Sequence, residues 1–308
     1  MPTHSPHLRP LPRLLGTLLV LAVLCLTQIP VAWSPEASPP RGHLLIVGGG
    51  DTPPEAQQRF VALAGGPGRA RIAVFPMAST DGDEEAGEIV DELRALGADA
   101  RIVHLSRDEA ASDEVAAGLD ELTGFWFCGG DQARLAAILR GTPALTAIQK
   151  RYFAGAIVGG TSAGAAVMST TMLTGNRYRG DDGDEGIGLP AIARGLFEID
   201  EGFGFLPGVI VDQHFLRRSR HNRLLSAVLE RPDLLGVGID EGTAILVRPD
   251  RRWEVLGHSY VKVFDARRAQ ITSADGPWLG SSDITLHLLP SRSVYDPSSG
   301  RTQLPAAI

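Results

Sequence analysis

Short apolar runs alternate with helix-patterned stretches over the first half of the chain, a glycine-rich turn follows the fifth run, and closely spaced short strands fill the C-terminal part. Together these observations predict an α/β protein with a doubly wound, mostly parallel sheet, helices on both faces, and additional antiparallel strands in the C-terminal part. The 308 residues, 44% hydrophobic and 21% charged, suffice for one large core.

The fold does not start at the N-terminus. Arg9 and Arg13 precede the Leu-, Val- and Ala-rich run from Leu14 to Pro30, and Ala32-Trp33-Ser34 places small residues where a signal peptidase reads them. The run from Leu14 to Ile29 is short against the ~20 residues of a membrane-spanning helix. Residues 1–34 therefore read as a cleaved signal peptide, and the protein as secreted, with no membrane attachment after cleavage. Leu24 stands where a lipidated cysteine at Cys25 would need a small residue, which argues against a lipoprotein. Pro35, Pro39 and Pro40 make residues 35–42 a proline-rich tether.

A single catalytic domain is expected over residues 43–290. Strands are expected at 43–47, 71–75, 100–105, 124–128 and 155–158, with helices at 55–64, 84–96, 109–119, 132–139 and 143–153 between them. Residues 175–190, carrying Asp181, Asp182, Asp184 and Glu185, lack periodicity and read as a long surface loop. A strand at 208–211, a helix at 215–229 and strands at 235–239, 243–247, 253–257 and 261–264 follow. Residues 291–308, rich in Ser, Pro and Gly, read as a loosely held C-terminal tail.

The net charge of -7 speaks against a nucleic-acid partner. Once the signal is removed only Cys128 remains, so no internal disulfide is available. Set in Phe125-Trp126-Phe127-Cys128, it reads as a buried strand residue rather than a nucleophile. Gly48-Gly49-Gly50-Asp51 lacks the lysine of a P-loop and the spaced glycines of a dinucleotide site, and reads as a turn packed near the active site. No cofactor is expected.

Chemistry concentrates at Gly160-Thr161-Ser162-Ala163-Gly164, where a buried strand turns into a helix. Such a turn lifts a serine clear of the backbone, but the pentapeptide alone decides little, because small residues also fill tight turns for packing. A serine nucleophile needs a base, and the base needs an orienting acceptor. Among His43, His104, His214, His221, His258 and His287, only His214 sits at the C-terminal end of an expected strand within a dense polar run. Such strand ends border the crevice of an open α/β sheet, and the same rule selects Glu241. Ser162, His214 and Glu241 are thus nucleophile, base and orienter by position. His104 and His287 read as structural histidines. His214 and His221, seven residues apart, lack a third ligand at a standard spacing, so no metal is expected.

Gly-Thr-Ser-Ala-Gly-Ala at 160–165, Asp-Gln-His-Phe at 212–215 with Arg218, Arg220 and Arg223, Gly-Ile-Asp-Glu at 238–241 and Gly-Gly-Asp-Gln at 129–132 together resemble the cyanophycinases, of the dipeptidase E-like serine peptidases. The resemblance runs from His43 to about Leu289. It implies a class I glutamine amidotransferase-like fold, a Ser-His-Glu triad, a homodimer, and hydrolysis of cyanophycin, a poly-aspartate with arginine on each side-chain carboxyl, to β-Asp-Arg dipeptides. A relative acting on small aspartyl or isoaspartyl peptides is the alternative. It further implies an oxyanion hole from the amide of Ala163 and one in the turn Gly129-Gly130-Asp131, and places Gln132, Asp212, Gln213, Arg218, Arg220 and Arg223 around the substrate. Arginines would clamp the substrate's free carboxylates bidentately. On a continuous helix Arg220 and Arg223 would share a face, with Arg218 turned about 200° from Arg220.

Overall fold

The computed structural model describes residues 39–177, 191–272 and 276–306, together with Met1. The expected signal peptide and the acidic stretch 181–185 lie outside the described residues. Strands β1 (Leu44–Val47), β2 (Arg71–Phe75), β3 (Asp99–Ile102), β4 (Gly124–Phe127) and β5 (Ile157–Thr161) pair in parallel in the spatial order β1-β5-β4-β2-β3. Helices α1 (Pro54–Leu63), α2 (Asp83–Ala95), α3 (Arg107–Ala110), α4 (Asp113–Gly118), α5 (Gln132–Leu139) and α6 (Pro143–Ala154) lie in the crossovers, and α7 (Ala163–Ala166) follows β5 directly.

Alternate residues of β1 face opposite cores, as the period of two in a strand requires. Leu45 and Val47 pack with Phe60, Val61, Val90 and Leu93 of α1 and α2. Leu44 and Ile46 join the cluster holding Leu135, Leu139 and Ile148 of α5 and α6. Helices therefore cover both faces of the sheet, as the alternation of apolar runs predicts.

Beyond α7 the hairpin β6 (Thr171–Arg177) and β7 (Phe197–Glu201) precedes β8 (Val209–Asp212), α8 (His221–Glu230), β9 (Leu235–Ile239), β10 (Thr243–Val247), β11 (Trp253–Gly257) and β12 (Tyr260–Asp265). The chain ends in β13 (Gln270–Ile271), β14 (Ser281–Ser282), β15 (Thr285–Pro290), β16 (Val294–Asp296) and β17 (Arg301–Gln303). Antiparallel β10, β11, β16 and β17 extend the central sheet to nine strands, and β15-β12-β9-β8 form a second sheet. Strands β8 and β9 are parallel neighbours in that second sheet. Their C-terminal ends meet the central sheet just past the C-terminal end of β1, where a Cβ on Gly48 would stand 2.2 Å from Asp240 O.

Several boundaries differ from expectation for local reasons. The single helix expected over 109–119 is two, because Ser106 and Ser112 each cap a new N-terminus by accepting from Glu109 N at 3.2 Å and Val115 N at 3.4 Å. The fifth strand starts later than expected, since Gly155 at φ +122° ends α6. Helix α8 starts at His221 rather than near 215. At the front, residues 41 and 42 are docked rather than a free tether, with Arg41 N and Gly42 N donating to Phe153 O at 3.3 Å and Tyr152 O at 3.0 Å.

The expected C-terminal tail is also corrected. Strand β16 pairs with β11 and β17 with β16, and Tyr295 is fully buried with its ring 5.2 Å from that of Trp253. Tyr295→Ala is accordingly expected to destabilise the fold by about 3–5 kcal/mol in a denaturant titration. A change within about 0.5 kcal/mol, as for a surface position, would restore the loose tail.

Candidate active site

Strand β5 leads into α7 through Ser162, whose N–H donates to Val47 O at 3.1 Å and whose backbone lies at φ +53°, ψ −111°. That is costly for a residue with a Cβ, and such strain persists only where the surroundings over-determine it. Small neighbours permit it. A Cβ on Gly164 would lie 2.1 Å from Phe127 O, so only glycine lets α7 pack against the end of β4.

His214 follows β8 and, like Ser162, has a positive φ, +48°. Its N–H donates to Gly48 O at 2.6 Å, which swings the imidazole back across the end of β1. Nε2 stands 2.8 Å from Ser162 Oγ and Nδ1 2.7 Å from Glu241 Oε1, the residue that follows β9 by two positions. The adjacency of β8 and β9 delivers the histidine and the acid side by side, while the central sheet delivers the serine. Gly49, at φ +105°, lies under the ring; a Cβ there would stand 2.2 Å from His214 Cε1. The glycine turn thus packs at the site, as the sequence reading expects.

Burial holds the His214 imidazole below the ordinary histidine value, and the charges of Arg218 and Arg220 push the same way, against the raising influence of Glu241. The ring is therefore neutral near pH 7 and able to accept a proton. Cys128 is buried, and burial pushes its thiol well up, consistent with a packing role.

The turn after β4 presents four successive amides. Cys128 N donates to Phe75 O at 3.0 Å, Gly129 N to Glu85 Oε1 at 3.1 Å and Asp131 N to Ala78 O at 2.8 Å. The amides of Gly130 and Ala163 have no acceptor among the described residues, so these two remain available for an oxyanion. Asp131 is a correction: its amide is taken, and its carboxylate caps α5 through Ala133 N at 2.8 Å and Arg134 N at 3.3 Å.

The peptidase family S51 profile matches residues 44–254. The chain belongs to peptidase family S51. It is a serine-type peptidase. It is 34% identical over 262 residues to a protein named cyanophycinase from Trichormus variabilis, covering 83% of each chain. It is 35% identical over 267 residues to a cyanophycinase from Synechococcus elongatus, covering 83% of this chain and 79% of that one. A solved peptidase from an acI-B1 Actinobacterium shares the fold, with a TM-score of 0.57 at 24% identity over 79% of this chain and 97% of that one.

In this S51 peptidase the residues expected around substrate form a largely internal network. Asp212 is fully buried and takes a two-toothed ion pair from Arg223, through Nε to Oδ2 at 3.0 Å and through Nη2 to Oδ1. Arg220 Nη1 reaches Asp212 Oδ1 at 3.4 Å and donates to Gln213 O and Oε1, both at 2.9 Å. Gln132 is buried and donates to Leu173 O at 2.7 Å, joining α5 to β6. Arg220 and Arg223 are thus partners of Asp212 in this structure. Their expected placement on one helix fails, since Arg218 and Arg220 precede α8 in a turn where Ser219 has φ +50°. Arg218, half-buried, acts on His214 through its charge.

Two further residues at the site are not singled out by the sequence reading. Asp240 accepts from Leu216 N at 3.0 Å and Arg217 N at 3.1 Å and from the Ser259 hydroxyl at 2.8 Å, fixing the segment that follows His214. Its place beside Glu241 in Gly-Ile-Asp-Glu is the only hint the sequence carries. Glu85, remote in sequence, carries none. The His214 and His221 pair does not converge: His221 Nε2 lies 2.7 Å from Lys262 Nζ. His104 makes an exposed contact with Asp83 at 2.9 Å, as a structural histidine would.

Removing one partner of a buried ion pair costs about 3–5 kcal/mol. Arg223→Met is therefore expected to lower the midpoint of thermal unfolding on the order of 10 °C, and Arg220→Met less, because Asp212 keeps its two-toothed partner. Equal thermal stability for wild type and Arg223→Met, combined with a raised KM, would return Arg223 to the substrate.

Proposed function

We propose that this S51 peptidase hydrolyses cyanophycin to β-Asp-Arg dipeptides through Ser162, His214 and Glu241. The observation that carries the reading is the hydrogen-bonded chain Ser162 Oγ, His214 Nε2, His214 Nδ1, Glu241 Oε1; the names of the relatives supply the substrate. Ser162 Oγ attacks the scissile carbonyl while His214 Nε2 takes its proton, and Glu241 orients the ring and stabilises the imidazolium. The amides of Gly130 and Ala163 hold the developing oxyanion, where a single donor is typically worth about 10²–10³ in rate. His214 returns the proton to the departing nitrogen, leaving an acyl-enzyme on Ser162. Water, deprotonated by the same imidazole, then releases the product. Residues 1–34 serve as a signal, so the polymer is met outside the cytoplasm, and the working form is a homodimer.

The binding of Arg220 and Arg223 to Asp212 favours a second reading, hydrolysis of small isoaspartyl peptides, because it removes two clamps from the polymer argument. Clearing of a cyanophycin suspension, run beside Asp-X and β-Asp-X dipeptides, separates the two. Release of β-Asp-Arg from the polymer, lost in Ser162→Ala at unchanged thermal stability, is the expected result. Cleavage of the dipeptides alone overturns the polymer reading, and activity retained in Ser162→Ala overturns the serine mechanism.

The working base is neutral His214, so activity is lost as pH falls and the ring protonates. The acid limb of kcat/KM is expected below the ordinary histidine value of ~6.5, in line with the lowered value that burial produces. Glu241 raises the ring's pKa, so Glu241→Gln should shift that limb further down while reducing kcat by about 10³–10⁴-fold. An upward shift in the variant would contradict the assigned sign.

A further inference from the structure

We propose that Glu85 is the positioning residue of the oxyanion turn: its carboxylate pins the Gly129 amide so that the neighbouring Gly130 amide faces the reacting carbonyl. The proposal rests on the reading that Gly130 and Ala163 hold the oxyanion. Glu85 lies in the first turn of α2, 44 residues from its partner, and Oε1 accepts from Gly129 N at 3.1 Å. A Cβ built on Gly129 would stand 3.2 Å from Glu85 Oε1 and 3.5 Å from Ser162 Cβ, so the carboxylate and the serine flank the same Cα.

The segment entering α2 grips this turn at further points. Ala78 O accepts Asp131 N at 2.8 Å, and Met77 O accepts Arg134 Nε at 3.1 Å. A Cβ on Gly130 would meet Ala78 O at 2.5 Å. Amides 128, 129 and 131 are therefore held, and the one between the last two is left to point elsewhere. Because each amide bond is planar, fixing the amides at 129 and 131 restricts the rotation available at 130. Among these contacts Glu85 supplies the side-chain acceptor on the turn's own amides, and a substitution can remove it without altering the turn's backbone.

The test measures the rate at which a fluorophosphonate labels Ser162, together with kcat and KM on whichever peptide the wild type cleaves. Labelling builds a tetrahedral, oxyanion-like adduct on the serine and needs no knowledge of the natural substrate. Glu85→Ala is expected to slow labelling and lower kcat by about 10–100-fold, the scale of a small misplacement of a catalytic group. KM should stay within about twofold, and the thermal midpoint within about 2 °C, because one half-exposed hydrogen bond contributes little to stability. Glu85→Gln, whose amide oxygen still accepts from Gly129 N, should recover most of the rate. Glu85→Ala labelled as fast as wild type overturns the positioning role while leaving the serine mechanism intact. Raised KM at unchanged kcat in both variants also overturns it, since the carboxylate would then bind a substrate cation. A wild type that resists labelling overturns the serine reading, and this proposal with it.

Discussion

The hydrogen bond from His214 N to Gly48 O at 2.6 Å joins the two sheets at the point where the chemistry is assembled. The serine comes from the central sheet; the histidine and the acid come from the second. Gly48 N also donates to Thr243 O at 2.9 Å, and Gly242 N to Gly49 O at 3.0 Å, so the turn after β1 is stitched to the segments that carry His214 and Glu241. The imidazole of His214 can approach this closely only because Gly49, at φ +105°, has no Cβ. A triad spread over two sheets needs such a shared seam, since a shift of one sheet against the other would open the contact between Ser162 Oγ and His214 Nε2.

His214 is held from both sides along its own chain. Before it, Asp212 is buried with Arg220 and Arg223; after it, Asp240 ties down the amides of Leu216 and Arg217. A buried ion pair seldom stabilises a fold more than an apolar cluster of the same volume would. Its use here is geometric: a two-toothed guanidinium fixes direction as well as distance. The segment 212–217 is therefore bracketed by carboxylates, and the positive φ of His214 is maintained between them.

The convergence of Ser162, His214 and Glu241 and the placing of the glycine turn were legible in the sequence because both follow from where strands end, and strand ends are written in apolar runs and small residues. The arginines were not. Their substrate role came from the resemblance, and only their placement on one helix depended on α8 starting near Phe215, whereas Ser219 at φ +50° and the capture of two amides by Asp240 delay the helix to His221. Neither feature leaves a periodic trace. Asp131, placed in the oxyanion turn by the resemblance, instead gives its carboxylate to the cap of α5 and its amide to Ala78 O, a contact with a segment that the local sequence does not announce. Val294-Tyr295-Asp296 is too short for alternation to stand out from the Ser, Pro and Gly around it, yet pairing with β11 buries its ring.

The arginine cluster also bears on the proton transfer itself. Arg218 and Arg220 lower the affinity of His214 for a proton, and Glu241 raises it. A base must be neutral at rest but must hold the proton once the serine attacks, so these influences have to stay close to balance. Asp212 screens Arg220 at 3.4 Å and pairs with Arg223 more tightly. Neither contact touches the ring. Were Arg220 to leave Asp212, its charge would move relative to the imidazole and the lowering it exerts would change. Internal pairing holds the Arg220 charge at a fixed place relative to the imidazole, so the lowering it exerts on His214 does not ride on a mobile side chain.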